Sequence, residues 1–189
     1  MLSRKRREYL YDEICDLAEE IETKVITPEE INKAMATGIS LNELEAMHFA
    51  KLIDLTKSDI KSVFLDSPDV IAEKFGVRIS LLSGRKMVVK GVKGAPAQGA
   101  IKVISEHKAD SRYPVVSAAS IIAKVTRDRE IDKLAKKLNI PIGSGYPSDS
   151  STIDAIRANL SSKHLQPHIR IYWKTLNGIR QLKMSEFVE

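Results

Sequence analysis

Two aspartates occupy the positions from which this sequence could do chemistry. Asp66 closes the aliphatic run that begins at Ser62. Asp110 follows the run Ile101 to Ile104 after the polar stretch Ser105-Glu106-His107-Lys108-Ala109. In α/β sheets, ligand sites gather at the carboxyl ends of strands. Two carboxylates converging there repel each other unless a cation neutralises them. Hard oxygen ligands of this kind suit Mg²⁺ or Mn²⁺, and Mg²⁺ completes its shell with water and substrate phosphate. The strand ends therefore read as a metal and phosphate site. The competing reading, acids that only solvate a loop, is the commoner use of Asp at such a position.

The neighbours of these acids divide by role. Asp69 is set apart from Asp66 as the N-cap of a short helix, Val70 to Phe75. Glu106, His107 and Lys108 are either solvated loop residues or groups that meet a phosphate. Further on, Ser117, Ser120, Lys124 and Arg127 fall on one stripe of a helix. That stripe either lines a phosphate groove or faces water. On another face, Ala118, Ala119, Ile121, Ile122 and Val125 make a small-residue surface able to pack on a sheet.

These residues need strands and helices to carry them. Ser3 caps a first helix with the apolar stripe Tyr9, Leu10, Ile14, Leu17 and Ile21. Lys24 to Ile26 reads as a short strand. Thr27-Pro28-Glu29-Glu30 starts a helix with a capping threonine, proline at the first position and glutamate at the third. Ser40-Leu41-Asn42-Glu43 opens another, running to about Leu55. Ser62 to Leu65 is a strand. Residues 77–89 read as a hairpin around Ser83-Gly84-Arg85-Lys86, followed by a Gly- and Lys-rich loop over 90–100. After the strand Ile101 to Ile104 comes a long helix, Pro114 to about Leu138. Gly143-Ser144-Gly145-Tyr146-Pro147 is a turn-rich break, and helices near 151–163 and 168–180 follow. Alternating strands and helices place the chain in the α/β class.

Bulk composition limits what this scaffold serves. The chain has 189 residues, 43% hydrophobic and 29% charged, which fits a globular domain. No apolar run spans a bilayer, and the charged N-terminus lacks the apolar core of a signal peptide. One cysteine, Cys15, provides no disulfide framework, which points to a reducing cytoplasm. The net charge of +5 favours a polyanionic partner. A basic RNA-binding protein with purely structural acids is therefore a competing class.

Five stretches taken together resemble ribonuclease HII, especially its archaeal members. They are "SLNELEAMHFAKLI", "VFLDSPDVIAEKF", "SEHKADSRYPVVSAASIIAKVTRDREIDKL", "GSGYPSD" and "IRIYWKTL". They keep the family's order and cover most of the chain. The resemblance implies a ribonuclease H-like mixed sheet flanked by helices, with additional C-terminal helices. It implies a hydrolase that cleaves the RNA strand of RNA–DNA hybrids and nicks at ribonucleotides embedded in duplex DNA, leaving 5′-phosphate ends. Catalysis would use Mn²⁺ or Mg²⁺, with Asp66 and Asp110 matching two of four family carboxylates. Tyr146 matches the tyrosine that packs on a sugar at the RNA–DNA junction. Lys108, Ser117, Ser120 and Lys124 are the accompanying candidates for nucleic-acid contact.

The sequence also departs from the family. An Asp-Glu-Ala-Gly-Arg-Gly segment, which supplies the other two carboxylates and a ribonucleotide reader, is not found in these residues. The opening strands are therefore expected to be missing, leaving exposed sheet edges and a chain that is poorly stable or associates. A non-catalytic remnant that binds duplex nucleic acid or a partner is the alternative function. The basic residues Arg78, Arg85, Lys86, Lys90 and Lys93 mark an insertion that either extends a nucleic-acid contact or forms a solvated hairpin. Three regions result: a catalytic domain over 1–149, a helical region over 150–180 and a tail over 181–189. In the tail, Gln181, Met184 and Phe187 have the spacing of a sliding-clamp-binding motif, with Val188 in place of its second aromatic.

Overall fold

The computed structural model describes residues 2–93, 98–173 and 176. They fall into two compact units. One comprises the chain up to Lys24 together with Ser40–Val125; the other comprises Val25–Ile39 together with the chain from Thr126 onward.

The first unit is built on a parallel sheet of three strands in the order β1-β3-β2. These are β1 (Ser62–Asp66), β2 (Met87–Val89) and β3 (Ile101–Glu106). The resemblance implies a mixed sheet; every pairing among the described residues is parallel. Central β3 is buried at Ile101, Val103, Ile104 and Ser105, as a strand covered on both faces should be. Its register pairs Phe64 with Ile104 and Asp66 with Glu106. The Ser67 N–H donates to the Glu106 carbonyl at 3.1 Å, which carries the ladder one residue past β1.

Helices α1 (Arg4–Leu17), α3 (Leu41–Leu55) and α4 (Ala72–Leu82) belong to this unit. Ser3 and Ser40 cap α1 and α3 as the sequence indicates, each accepting a backbone N–H three residues on. Helix α4 overturns the expected hairpin over 77–89. Its buried residues, Ala72, Phe75, Gly76 and Ile79, follow helical spacing, and only Met87–Val89 forms a strand. Phe75 and Ile79 are fully buried and anchor the core with Ala46, Leu65 and Val103. Each such side chain contributes about 1.5–3 kcal/mol by leaving water. Gly76 permits the close approach of α4, since a Cβ there would lie 3.0 Å from Ser105 Cβ and 3.2 Å from Val89 Cγ1.

Other expectations change as well. Asp69 does not cap a helix; Ile71 precedes α4 without a side-chain cap. Asp69 instead accepts from Asn42 Nδ2 at 2.7 Å and pairs with Arg78 at 3.0 Å, tertiary partners that outcompete local capping. Lys24 to Ile26 forms no strand. Of the basic insertion, Arg78 also pairs with Glu43, Arg85 donates to the Thr56 carbonyl, and Lys90 pairs with Glu106. The loop expected over 90–100 lies partly outside the described residues.

Helix α5 (Pro114–Leu138) begins in the first unit and ends in the second. Val116, Ile122 and Val125 are buried on it, whereas Ala119, expected on the packing face, is exposed. The second unit also contains α2 (Pro28–Ala36), capped by Thr27 as the sequence indicates, and α6 (Ser150–Ala158), which is shorter than the helix expected near 151–163. Its core joins Ile156, Leu165, Ile169 and Leu176. Of the helix expected near 168–180, residues 169–173 are not helical, and beyond them only Leu176 lies among the described residues. Gln166–His168 is a 3₁₀ turn, and Asn32 takes both polar backbone groups that follow: its Nδ2 donates to the Ile169 carbonyl at 2.8 Å and its Oδ1 accepts from the Ile171 N–H at 2.9 Å. Gln181, Met184 and Phe187 lie outside the described residues. Among the described residues, no helix is long and apolar enough to cross a membrane.

Candidate active site

The parallel pairing of β1 and β3 sends their carboxyl ends to one rim. Asp66 stands at the end of β1. Asp110 stands in a 3₁₀ turn, Ala109–Ser111, just past β3. Lys108 introduces that turn in the left-handed region, at φ 53° and ψ 38°. Such a backbone is costly for a residue with a side chain and is held by its surroundings. The reversal buries Ala109 and aims its N–H at Asp66 Oδ1, 3.2 Å away.

The two acids keep free ligand capacity. Asp66 spends one oxygen on Ala109, and Asp110 Oδ1 accepts from Ser111 Oγ at 3.3 Å. The second oxygen of each takes no hydrogen bond or ion pair among the described residues. Carboxylate oxygens left open in this way are the donor type that Mg²⁺ and Mn²⁺ take, with water and phosphate as further ligands. Among the described residues, no group of three or more His, Cys, Asp or Glu gathers to make a full protein cage.

The other acids at this rim are committed elsewhere. Glu106 Oε2 accepts from Arg112 Nη1 at 2.8 Å, and Oε1 from Lys90 Nζ at 3.3 Å. Arg112 first, then Lys90, hold the Glu106 carboxyl below its usual range. Glu106 is thus a charge clamp between two cations. His107 Nε2 lies 3.3 Å from the Val70 carbonyl, which ties the loop to the residues before α4.

On α5, Lys124 Nζ donates to Ser120 Oγ at 2.7 Å, so these two predicted contacts are brought together. Ser117 lies one turn earlier and is half-buried. Tyr146 belongs to the second unit, in a turn whose glycines Gly143 and Gly145 both have φ 73°. Asp149 fixes that turn. Its Oδ2 accepts from the Ser144 N–H at 2.6 Å, and its Oδ1 from the Ser151 N–H at 3.0 Å. These bonds, that from Ser144 foremost, pull the Asp149 carboxyl down to about 2. Thr152 Oγ1 accepts from the Gly145 N–H at 2.9 Å. The sequence reading passed over Asp149 and Thr152; an acid following a Gly-Ser-Gly turn and heading a helix was the available signal.

A parallel sheet with two aspartates at its carboxyl rim belongs to the α/β class, in which ligand sites gather at the carboxyl ends of strands. Comparison with known proteins narrows the class. The sequence profile described as ribonuclease HII matches residues 1–176. Ribonuclease HII of Thermoplasma volcanium is 42% identical over 182 residues, spanning 96% of this chain and 76% of that protein. Ribonuclease HII of Archaeoglobus fulgidus is 35% identical over 98% of this chain and 80% of its own length. Among solved structures, the PCNA:RNase HII complex from Archaeoglobus fulgidus matches with a TM-score of 0.75 at 35% identity, covering 95% of this chain and 77% of that one. Ribonuclease H2 from Pyrococcus horikoshii matches with a TM-score of 0.76 at 33% identity, covering 96% and 78%. The chain belongs to the ribonuclease HII family. The family consists of divalent-metal-dependent endoribonucleases that act on RNA–DNA hybrids.

Proposed function

We propose that this chain hydrolyses the RNA strand of RNA–DNA hybrids and nicks duplex DNA at embedded ribonucleotides, leaving 5′-phosphate ends. The family match over residues 1–176 carries this reading, and the common rim of Asp66 and Asp110 supports it. Asp66 and Asp110 hold the cation, Mn²⁺ or Mg²⁺. When bound, the cation supplies activation of water for in-line attack and stabilisation of the leaving 3′ oxygen. The chain's own groups bind and orient. Lys108 and Lys124 meet backbone phosphates, with Ser117 and Ser120 beside them, giving affinity that falls with salt. Tyr146 packs on the sugar, where the 2′-hydroxyl distinguishes RNA from DNA.

The test is nicking of duplex DNA containing one ribonucleotide, in Mn²⁺, by the unaltered chain and by Asp66→Asn and Asp110→Asn. Cleavage that survives either substitution removes that residue from the site. Binding without cleavage by the unaltered chain identifies a duplex-binding protein instead.

A sliding clamp is the proposed protein partner, engaged through Gln181, Met184 and Phe187. The similarity to the Archaeoglobus fulgidus enzyme solved with PCNA supports it. A peptide of residues 178–189 should bind the clamp, and Phe187→Ala should abolish binding.

A further inference from the structure

Tyr146 is held from one side by a residue that the family reading leaves unassigned. The Arg127 guanidinium lies over the Tyr146 ring, its central carbon 3.6 Å from the ring centroid. Arg127 Nη1 also donates to the Ser144 carbonyl at 3.1 Å, within the same turn. Its charge is balanced by the buried Asp128, whose Oδ1 is 3.6 Å from Nη1. Arg127 is therefore fixed at three points while it covers the ring. The turn is shaped to receive it: a Cβ on Gly145 would come within 3.1 Å of Arg127 Nη2 and 2.9 Å of Ile131 Cδ1. Tyr146 nevertheless remains 38% exposed.

We propose that Arg127 is the positioning residue for Tyr146 in sugar recognition, a role that rests on Tyr146 reading the ribose. The guanidinium closes one face of the ring and leaves the other for the sugar. A tyrosine on a glycine-rich turn otherwise samples several rotamers, and ordering it on contact would cost affinity. Stacking against a planar cation removes that cost beforehand. A lysine keeps the charge but not the planar surface or the second fixed donor.

The experiment measures affinity for two duplexes by fluorescence anisotropy, with Ca²⁺ as the divalent cation. One duplex is all DNA and the other contains a single ribonucleotide. The readout is the ratio of the two dissociation constants. A purely structural loss weakens both duplexes together and leaves the ratio unchanged. Arg127→Lys should lower the preference for the ribonucleotide about 3- to 10-fold. Arg127→Gln, which keeps a planar donor on a shorter stem, should shift it in the same direction. On a Tyr146→Ala background, Arg127→Lys should change the ratio no further. An unchanged ratio in Arg127→Lys and Arg127→Gln overturns the proposal. So does an undiminished effect on the Tyr146→Ala background, which would place Arg127 directly on the nucleic acid. If Tyr146→Ala itself leaves the ratio intact, the reading of Tyr146 as the sugar contact falls, and this proposal with it.

Discussion

The Ala109 N–H donates to Asp66 Oδ1 across 3.2 Å, tying the end of β1 to the turn that carries Asp110. The bond fixes Asp66 and brings Asp110 to the same rim by a backbone donor. No further charged side chain is required for this link. The left-handed Lys108 makes it possible by reversing the chain directly after His107. One carboxylate is thereby oriented, while each keeps an oxygen for a ligand.

Cation binding should therefore stabilise the fold through these two residues. A ligand at about 100 times its dissociation constant adds about 2.7 kcal/mol. Saturating Mn²⁺ should raise the melting temperature of the unaltered chain. Asp110→Asn should abolish that rise without lowering the metal-free melting temperature, because Asp110 makes only a weak contact with Ser111. In a nicking assay the same substitution should cost about 100-fold or more.

Asp149 supplies a pH signature for the Tyr146 turn. Its folded-state pKa, about 2, is depressed by the Ser144 and Ser151 donors and lies below the ordinary carboxylate value. Its stabilising effect is complete above the unfolded-state value of about 4 and disappears as pH falls through about 2. Asp149→Ala should lower the melting temperature at pH 7, and the deficit should close between about pH 4 and pH 2. Melts of both proteins over that range provide the measurement. A deficit that persists unchanged at pH 2 would assign it to packing.

What could be read in the sequence was the chemistry that acts locally. Thr27 and Ser40 announce their helices because each cap bonds an N–H three residues away. The aliphatic runs located β1 and β3 equally well, but not the end of β3, which continues past Ile104 through buried Ser105 to Glu106 because pairing with β1 outweighs the change to polar residues. Helix α4 was hidden by Val77, Ile79 and Ser83-Gly84, which imitate a strand and turn. Gly76, which falls between the short helix expected at Val70 to Phe75 and that hairpin, is in the middle of α4 for a tertiary reason, the approach to Ser105 and Val89. Asp69 shows the same limit: a capping residue by type, it is taken by Arg78 and Asn42 from α4 and α3. Arg127 was visible as a member of a helical stripe. Its contact with Tyr146 crosses a turn that no helical period encodes.

Gly76 offers a direct test of α4 against the hairpin. In the expected arrangement Gly76 would lie in the link just before the hairpin over 77–89, where an added methyl would meet no packed neighbour. In α4 an added methyl meets Ser105, Val89 and Val103 at 3.0, 3.2 and 3.4 Å. Overpacking of this kind costs about 1–3 kcal/mol, against a helix-propensity gain of about 1 kcal/mol for Ala over Gly. Gly76→Ala should be destabilised by about 1 kcal/mol net, and Gly76→Leu by more than about 2 kcal/mol, in urea unfolding.

Asn32 should govern the order of the segment that follows the 3₁₀ turn. Its side-chain amide completes two bonds with the Ile169 carbonyl and the Ile171 N–H, as a neighbouring strand would. Ile169 is buried in the cluster with Ile156, Leu165 and Leu176, so freeing its carbonyl leaves a polar group near an apolar core. An unsatisfied buried group costs about 1–3 kcal/mol. Asn32→Ala removes both partners, whereas Asn32→Asp keeps the acceptor for Ile171 and loses the donor to Ile169. In hydrogen exchange, the Ile171 amide should lose protection in Asn32→Ala and retain part of it in Asn32→Asp. Amides of β3, in the other unit, serve as the control and should keep their protection in both variants. Equal loss at Ile171 in the two variants would mean that the amide depends on the packing of Ile169 rather than on the Asn32 oxygen.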